Sequence, residues 1–362
     1  MRLLEKILNK MRPAFEEKGK LLFFHPLFEV IDNILYSPAK RPQHPPFGRD
    51  PLEIKRYMIL VIFALFPCFI ASVYFFGLHI IFMLLVSYTA GGVVEVLFSL
   101  IRKEEINEGF LVSGFIFPLI LPPNTPLWIV AVGIVFGIIV GKEVFGGTGR
   151  NIFNAALVGR LFIALSYPAL LAKSWLAPAT GGWGNLFQFA AEQGTDAVST
   201  ATPLVLARGG EYTSIFDLFI GSIAGSAGET SALAILLGGV FLIIIGIVNW
   251  RTVVAIIVSF AGTNFILNLI DPSLSHSILF NLLSGGLLFG TFFMATDPVT
   301  GPVTSSGKWA YGFIIGFLTI LIRTFSGFVE GITFAILLGN IFSPIIDQVV
   351  IRLKSRGYAN ER

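Results

Sequence analysis

Tyr57-Met-Ile-Leu-Val-Ile-Phe-Ala-Leu-Phe-Pro-Cys-Phe-Ile-Ala-Ser-Val-Tyr-Phe-Phe76 runs for twenty residues without a charged side chain. That is the length an α-helix needs to cross the hydrocarbon of a bilayer. Similar stretches recur after it, with candidates beginning near residues 57, 79, 110, 127, 155, 229, 252, 278, 309 and 328, divided by short polar or Gly/Pro breaks. Those near 110 and 155 are short or interrupted by proline and read as broken helices. Composition agrees, with 13% charged residues and a mean hydropathy of +0.80, where a soluble domain carries about 25% charged residues. The expected fold class is an all-α integral membrane protein with about ten transmembrane helices, some of them broken.

Charge sets the expected topology. Residues 1–56 are rich in Lys and Arg and lack the apolar core and cleavage site of a signal peptide, so they read as a cytoplasmic segment. Its run Pro38-Ala-Lys-Arg-Pro-Gln-His-Pro-Pro46 reads as an extended linker along the membrane surface. The basic tail Arg352, Lys354, Arg356 and Arg362 puts the C-terminus on the same side, which requires an even number of crossings. Ten crossings also place Arg102/Lys103, Lys142/Arg150, Arg251 and Lys308 inside. The expected parts are a basic segment 1–56, helices 57–172, an outward loop 173–228, helices 229–350 and a tail 351–362. The net charge of +3 is mostly this topological signal and gives no support for nucleic-acid binding. A lone Cys68 excludes an internal disulfide, and no cysteine cluster exists for an iron–sulfur centre or other metal site.

Two sequence pairs suggest a duplication. Leu111-Val112-Ser113-Gly114, leading into Pro122-Pro123, resembles Leu282-Leu283-Ser284-Gly285, leading into Asp297-Pro298. Phe153…Gly159-Arg160-Leu161-Phe162 resembles Phe334…Gly339-Asn340-Ile341-Phe342. Two halves of five spans each would have opposite orientations, the inverted-repeat plan of many transporters, in which broken helices meet near the midplane. Chance similarity among apolar helices is the alternative.

Several polar groups stand out against this background. Glu95 lies well inside the second span, where a carboxylate is expensive unless neutral, paired or bound to a cation. It is either an ion-pathway residue or a buried hydrogen-bonded Glu. Glu108 reads as part of a solvated loop entering a half-helix. Asp297, in Met-Ala-Thr-Asp297-Pro, either serves ions or caps the break in an apolar span, and Asp347 either serves ions or is solvated at a helix end. The stretch Gly141-Lys-Glu-Val-Phe-Gly146-Gly147-Thr148-Gly149-Arg150-Asn151-Ile-Phe-Asn154 offers exposed backbone N–H groups and two Asn expected on one helical face. Such amides suit a flavin or another polar heterocycle, with helix capping as the competing role. The lysine is misplaced for a phosphate-binding loop, so nucleotide hydrolysis is not expected. Asp196-Ala-Val-Ser199-Thr200-Ala201-Thr202, in the long outward loop, reads as either a hydrated Ser/Thr-rich segment or an acceptor for covalent flavin.

Taken together, Gly48–Arg56, Gly141–Asn154, Met294–Val299 and Ser306–Trp309 resemble the family that unites the B subunits of the sodium-translocating NADH:quinone oxidoreductases with the D subunits of Rnf complexes. The likeness covers nearly the whole chain, and the basic segment before the first span favours the former branch. The resemblance implies FMN on Thr202 through a phosphoester, with Asp196 and Ser199 in the motif read by a flavin transferase. It implies riboflavin at Asn151 and Asn154, sodium uptake at Glu95, Asp297 and Asp347, and a quinone or inhibitor region at Gly91, Gly92 and Phe162. The implied location is a bacterial inner membrane. The implied partners are an NADH-oxidising subunit with FAD and an iron–sulfur centre, a second subunit with covalent FMN, further membrane subunits, quinone and Na⁺. No dinucleotide fingerprint is present, so NADH oxidation is expected on a partner. The chain departs from the family pattern in having Ser-Thr-Ala-Thr for Ser-Gly-Ala-Thr, Ala155 for a proline, and a longer loop before Thr202. The rival expectations are an Rnf-type subunit coupling ferredoxin to NAD, and a flavin-free cation-coupled transporter.

Overall fold

The structure, a computed structural model, describes residues 54–103, 109–179, 201–272, 275–326, 328 and 330–360. The basic segment before residue 54, Glu108, Asp196 and Ser199 lie outside the described residues. Among those described, every regular element is helical.

Helices α1 (Ile54–Phe76), α2 (His79–Arg102), α3 (Gly109–Leu119), α4 (Leu127–Gly141) and α5 (Ala155–Ser166) form the first half. Three short helices follow: α6 (Pro168–Lys173), α7 (Pro203–Arg208) and α8 (Ile215–Ile220). The second half holds α9 (Ala232–Ile245), α10 (Trp250–Ile270), α11 (Ile278–Leu283), α12 (Leu287–Phe289), which runs into a π-helical turn Gly290–Met294, then α13 (Ser305–Phe325) and α14 (Ile332–Asn360). Each of the ten expected apolar stretches is helical. Six contain a segment long and apolar enough to cross a membrane: Tyr57–Phe76, His79–Arg102, Leu127–Phe145, Trp250–Ile270, Ser305–Phe325 and Ile332–Arg356. The other four are shorter, so the expected ten helices, some of them broken, are six long helices and four short or broken ones.

Burial explains the difference in length. The long helices bury a third to a half of their most apolar windows, and side chains such as Phe63, Ile70, Leu97, Val258 and Ile345 project outward, as lipid-facing positions do. By contrast, Gly114 through Pro123 and Leu287 through Ala295 are buried residue after residue. Non-helical backbone at membrane depth is tolerated where protein surrounds it, and the two broken segments occupy that interior. They are the two segments that the Ser113-Gly114 and Ser284-Gly285 repeat had paired.

Glycines let the long helices close on one another. A Cβ at Gly159 of α5 would lie 2.5 Å from the Gly133 carbonyl oxygen of α4, and one at Gly339 of α14 would lie 2.9 Å from the Tyr311 ring of α13. Gly159 and Gly339 are repeat partners, and each packs on the long helix that precedes it. The halves meet where α9 crosses α1, with Gly238 so close that a Cβ would sit 1.9 Å from the Ala64 carbonyl oxygen. Small residues at such crossings are the usual means of close helix approach in lipid.

Candidate functional site

The glycine-rich turn after α4 and the break after the π-helical turn converge on one cleft. It offers about 690 Å³ of free space, mouth included, and its walls hold Tyr57, Lys142, Thr148, Asn151, Asn154 and Asp297. Tyr57 is fixed by its hydroxyl, which donates to the Ile247 carbonyl at 3.0 Å. The turn needs glycine at Gly146, Gly147 and Gly149, whose φ angles are +111°, +90° and +92°.

The two Asn side chains do not share a helical face, contrary to the sequence expectation. α5 begins at Ala155, so Asn151 precedes the helix and Asn154 caps it. The Asn154 side-chain oxygen accepts from the Ala156 and Leu157 amides at 3.0 and 3.4 Å. Its amide nitrogen makes no hydrogen bond among the described residues, and Asn154 lines the cleft. Asn151 braces the turn, accepting from the Gly149 amide at 3.2 Å and donating to the Phe153 carbonyl at 3.0 Å. Capping and cleft lining therefore coexist in one residue.

Glu95 is paired. Lys142 Nζ lies 2.6 Å from its carboxylate, with both side chains 4% exposed, and also donates to Thr148 Oγ1 at 3.1 Å. Glu143 extends the cluster to Arg102 at 2.6 Å. Two acids and two bases balance, which is the condition for keeping such charges at this depth.

The other acidic candidates bracket a single turn. Asp297 Oδ1 accepts from the Val299 amide at 3.2 Å and Oδ2 from the Thr300 hydroxyl at 3.1 Å. Asp347, reaching from α14, accepts from the Val303 and Thr304 amides at 2.7 and 3.0 Å and from the Thr304 hydroxyl. Both carboxylates thus order the entry to α13.

The expected quinone-region residues fall on opposite faces of α4. Gly91 packs against Ile134 and Ile138 and, with Gly92, against Phe110. Phe162 stacks on Phe136 with ring centroids 4.0 Å apart.

Thr202 lies in a second place. It precedes α7, its hydroxyl makes no capping hydrogen bond, and it lines a pocket of about 320 Å³, mouth included, with Ser226, Glu229, Thr230, Gly285 and Glu330. Beneath that pocket Arg160 of α5 pairs with Glu229 at 2.9 Å and with Glu330, and donates to Ser226 Oγ at 3.3 Å. This buried cluster was missed in the sequence. The signal was present, because an arginine in the middle of an apolar span requires a partner. Asn154 and Arg160 are six residues apart, about 9 Å along the axis at 1.5 Å per residue, so α5 links the cleft to the Thr202 pocket.

A family model described as NQR2, RnfD, RnfE matches residues 42–355. The chain belongs to this family. The match takes in both the cleft and the Thr202 pocket. Among its relatives, the B subunit of the Na(+)-translocating NADH-quinone reductase of Klebsiella pneumoniae (strain 342) is 36% identical over 417 aligned positions, covering 98% of this chain and 100% of that protein. The protein of the same name from Azotobacter vinelandii is 36% identical, covering 95% and 96%. That of Pseudomonas aeruginosa strain PAO1 is 35% identical, covering 96% and 97%.

Proposed function

We propose that this NQR2, RnfD, RnfE family chain is the membrane-embedded B subunit of a Na⁺-translocating NADH:quinone oxidoreductase and carries two flavins. The observation that carries the reading is the cleft, where the glycine-rich turn, Asn151, Asn154 and the Asp297 break come together although they are distant in sequence.

The residues present fit both flavins. The cleft joins polar groups from both halves, and Asn154 offers it an amide donor with no partner among the described residues. Riboflavin would be held there by Asn151 and Asn154, with Tyr57 and Phe293 as ring neighbours. FMN would be joined to the hydroxyl of Thr202, which makes no capping hydrogen bond, after a flavin transferase reads Asp196 and Ser199. Such groups supply one-electron chemistry, while the protein sets their potentials through hydrogen bonds and burial. The chain's own part is to hold both rings on one rigid body, with α5 between them, and to keep water from the path with the buried segments of each half.

In this reading the termini face the cytoplasm, the Thr202 pocket faces outward, and the halves are inverted repeats, which the matched Gly159 and Gly339 packing supports. Quinone would approach near Gly91, Gly92 and Phe162. Na⁺ uptake would involve Glu95, Asp297 and Asp347. NADH oxidation belongs to a partner subunit with FAD and an iron–sulfur centre. A second covalent-FMN subunit and further membrane subunits complete the complex in a bacterial inner membrane.

The test is in-gel flavin fluorescence under denaturing conditions, with wild type and Thr202→Ala each co-expressed with an active flavin transferase. A fluorescent band lost in the variant supports the reading. A dark wild-type band removes covalent flavin and favours a flavin-free transporter.

A further inference from the structure

Next to the Thr202 pocket is a larger cavity, about 1180 Å³ with its mouth, lined by Arg208, Tyr212, His276, Asn281 and Arg323. Leu204 lines both spaces. Between them stands Gly285, at φ +65°, where a Cβ would press within 2.8 Å of Leu204 Cδ1 and 3.0 Å of Arg323 Nη2. The missing side chain keeps Arg323 within reach of the Thr202 side.

The two spaces differ in charge. Glu229 and Glu330 line the Thr202 pocket and share a single cation, Arg160, whereas Arg208 and Arg323 line the neighbouring cavity. Burial and the Arg208 guanidinium hold the His276 pKa below its ordinary value, so that ring stays neutral and the arginines supply the cavity's positive charge. Arg323 is 7% exposed. Its terminal nitrogens donate to the Asn281 and Ser284 carbonyls at 2.7 and 3.1 Å, but its buried Nε has no partner among the described residues. A buried guanidinium with an open donor calls for an acceptor. Aromatic surface adjoins it, since Tyr212 packs edge-on to His276 and Phe280 with centroids 5.5 and 6.1 Å away and is itself 69% exposed.

We propose that this cavity seats the ring of the flavin borne on Thr202, with Arg323 and Arg208 as its cationic partners and Tyr212 as its aromatic neighbour. This rests on the covalent-flavin reading above. A phosphodiester on Thr202 is repelled by the acidic pocket and drawn toward the arginines, and the ribityl arm carries the ring over Leu204. The arginines then oppose the negative charge that each electron brings to the ring, which raises its potential.

The experiment uses the purified complex. In-gel fluorescence first establishes that each variant carries covalent flavin, and its absence from wild type would count against the underlying reading alone. Equilibrium redox titration follows, with the Thr202 flavin isolated as the difference from a Thr202→Ala complex. Arg323→Gln is expected to weaken electron binding about tenfold, a fall of about 59 mV for a one-electron couple, and Arg323→Lys to recover most of it. Tyr212→Leu is expected to brighten the fluorescence of the native flavin. Should Arg323→Gln fail to assemble, Arg208→Gln and Tyr212→Leu, both at exposed side chains, decide the matter. Flavinylated variants with wild-type potential and fluorescence would overturn the proposal.

Discussion

Lys142 Nζ sits 2.6 Å from the Glu95 carboxylate although the residues are 47 positions apart, and both side chains are buried. A buried pair of this kind is a poor source of net stability but a costly one to break, about 3–5 kcal/mol when one partner is removed. Glu95→Gln and Lys142→Gln are each expected to lower the thermal stability of the complex. The double variant is expected to lose less than the sum, as a double-mutant cycle on thermal unfolding would read. If Glu95 also serves the ion pathway, both single variants weaken Na⁺ stimulation of quinone reduction. Unchanged Na⁺ dependence in both would leave the pair a purely structural one.

Asp347 separates two roles by one substitution. Its carboxylate accepts two backbone amides ahead of α13, a capping interaction of about 1 kcal/mol. Asp347→Asn keeps an acceptor and removes the charge, whereas Asp347→Ala removes both. A sodium role predicts that Asn and Ala variants lose Na⁺ dependence alike, while Ala destabilises more than Asn, which keeps one of the two acceptor oxygens; enzyme assays across Na⁺ concentrations with parallel melting curves would show this.

Gly238 tests the seam between the halves. A methyl there would meet the Ala64 carbonyl oxygen, so Gly238→Ala is expected to push α9 from α1 and destabilise by about 1–3 kcal/mol through overpacking. Gly262, with open space around its Cβ position, is the control, and Gly262→Ala should melt like wild type.

Arg160 predicts a loss from its charge, not its bulk. Arg160→Met leaves the buried Glu229 and the half-buried Glu330 without their cation, and about 3–5 kcal/mol is expected to go. Adding Glu229→Gln should return part of it, measurable as recovered yield and melting temperature of the complex.

The sequence carried the helices and their breaks well, because twenty apolar residues or a proline within an apolar run have few physical readings. It also marked Asn151, Asn154 and Asp297 as unusual polar groups. Their meeting in one cleft was not legible, since it depends on how the break after the π-helical turn packs against the turn after α4. Nor did periodicity reveal that α5 starts at Ala155, as the glycine-rich turn continues through Asn151 before the helix is capped. The pairing of Arg160 with Glu229 and Glu330 escaped for a related reason. Its partners lie 69 and 170 positions away, and one sequence says that a buried charge needs a partner without saying which.

The cleft itself is tested most directly by the flavin that acid extracts from the purified complex, comparing wild type with Asn154→Asp. Aspartate preserves the cap on α5, because a carboxylate accepts the Ala156 and Leu157 amides as well as an amide oxygen does, but it removes the donor facing the cleft. Wild type is expected to release riboflavin in equal proportion to the complex, and Asn154→Asp to release little at an unchanged melting temperature. Riboflavin retained in full by the variant, or absent from the wild type, would contradict the assignment of this cleft.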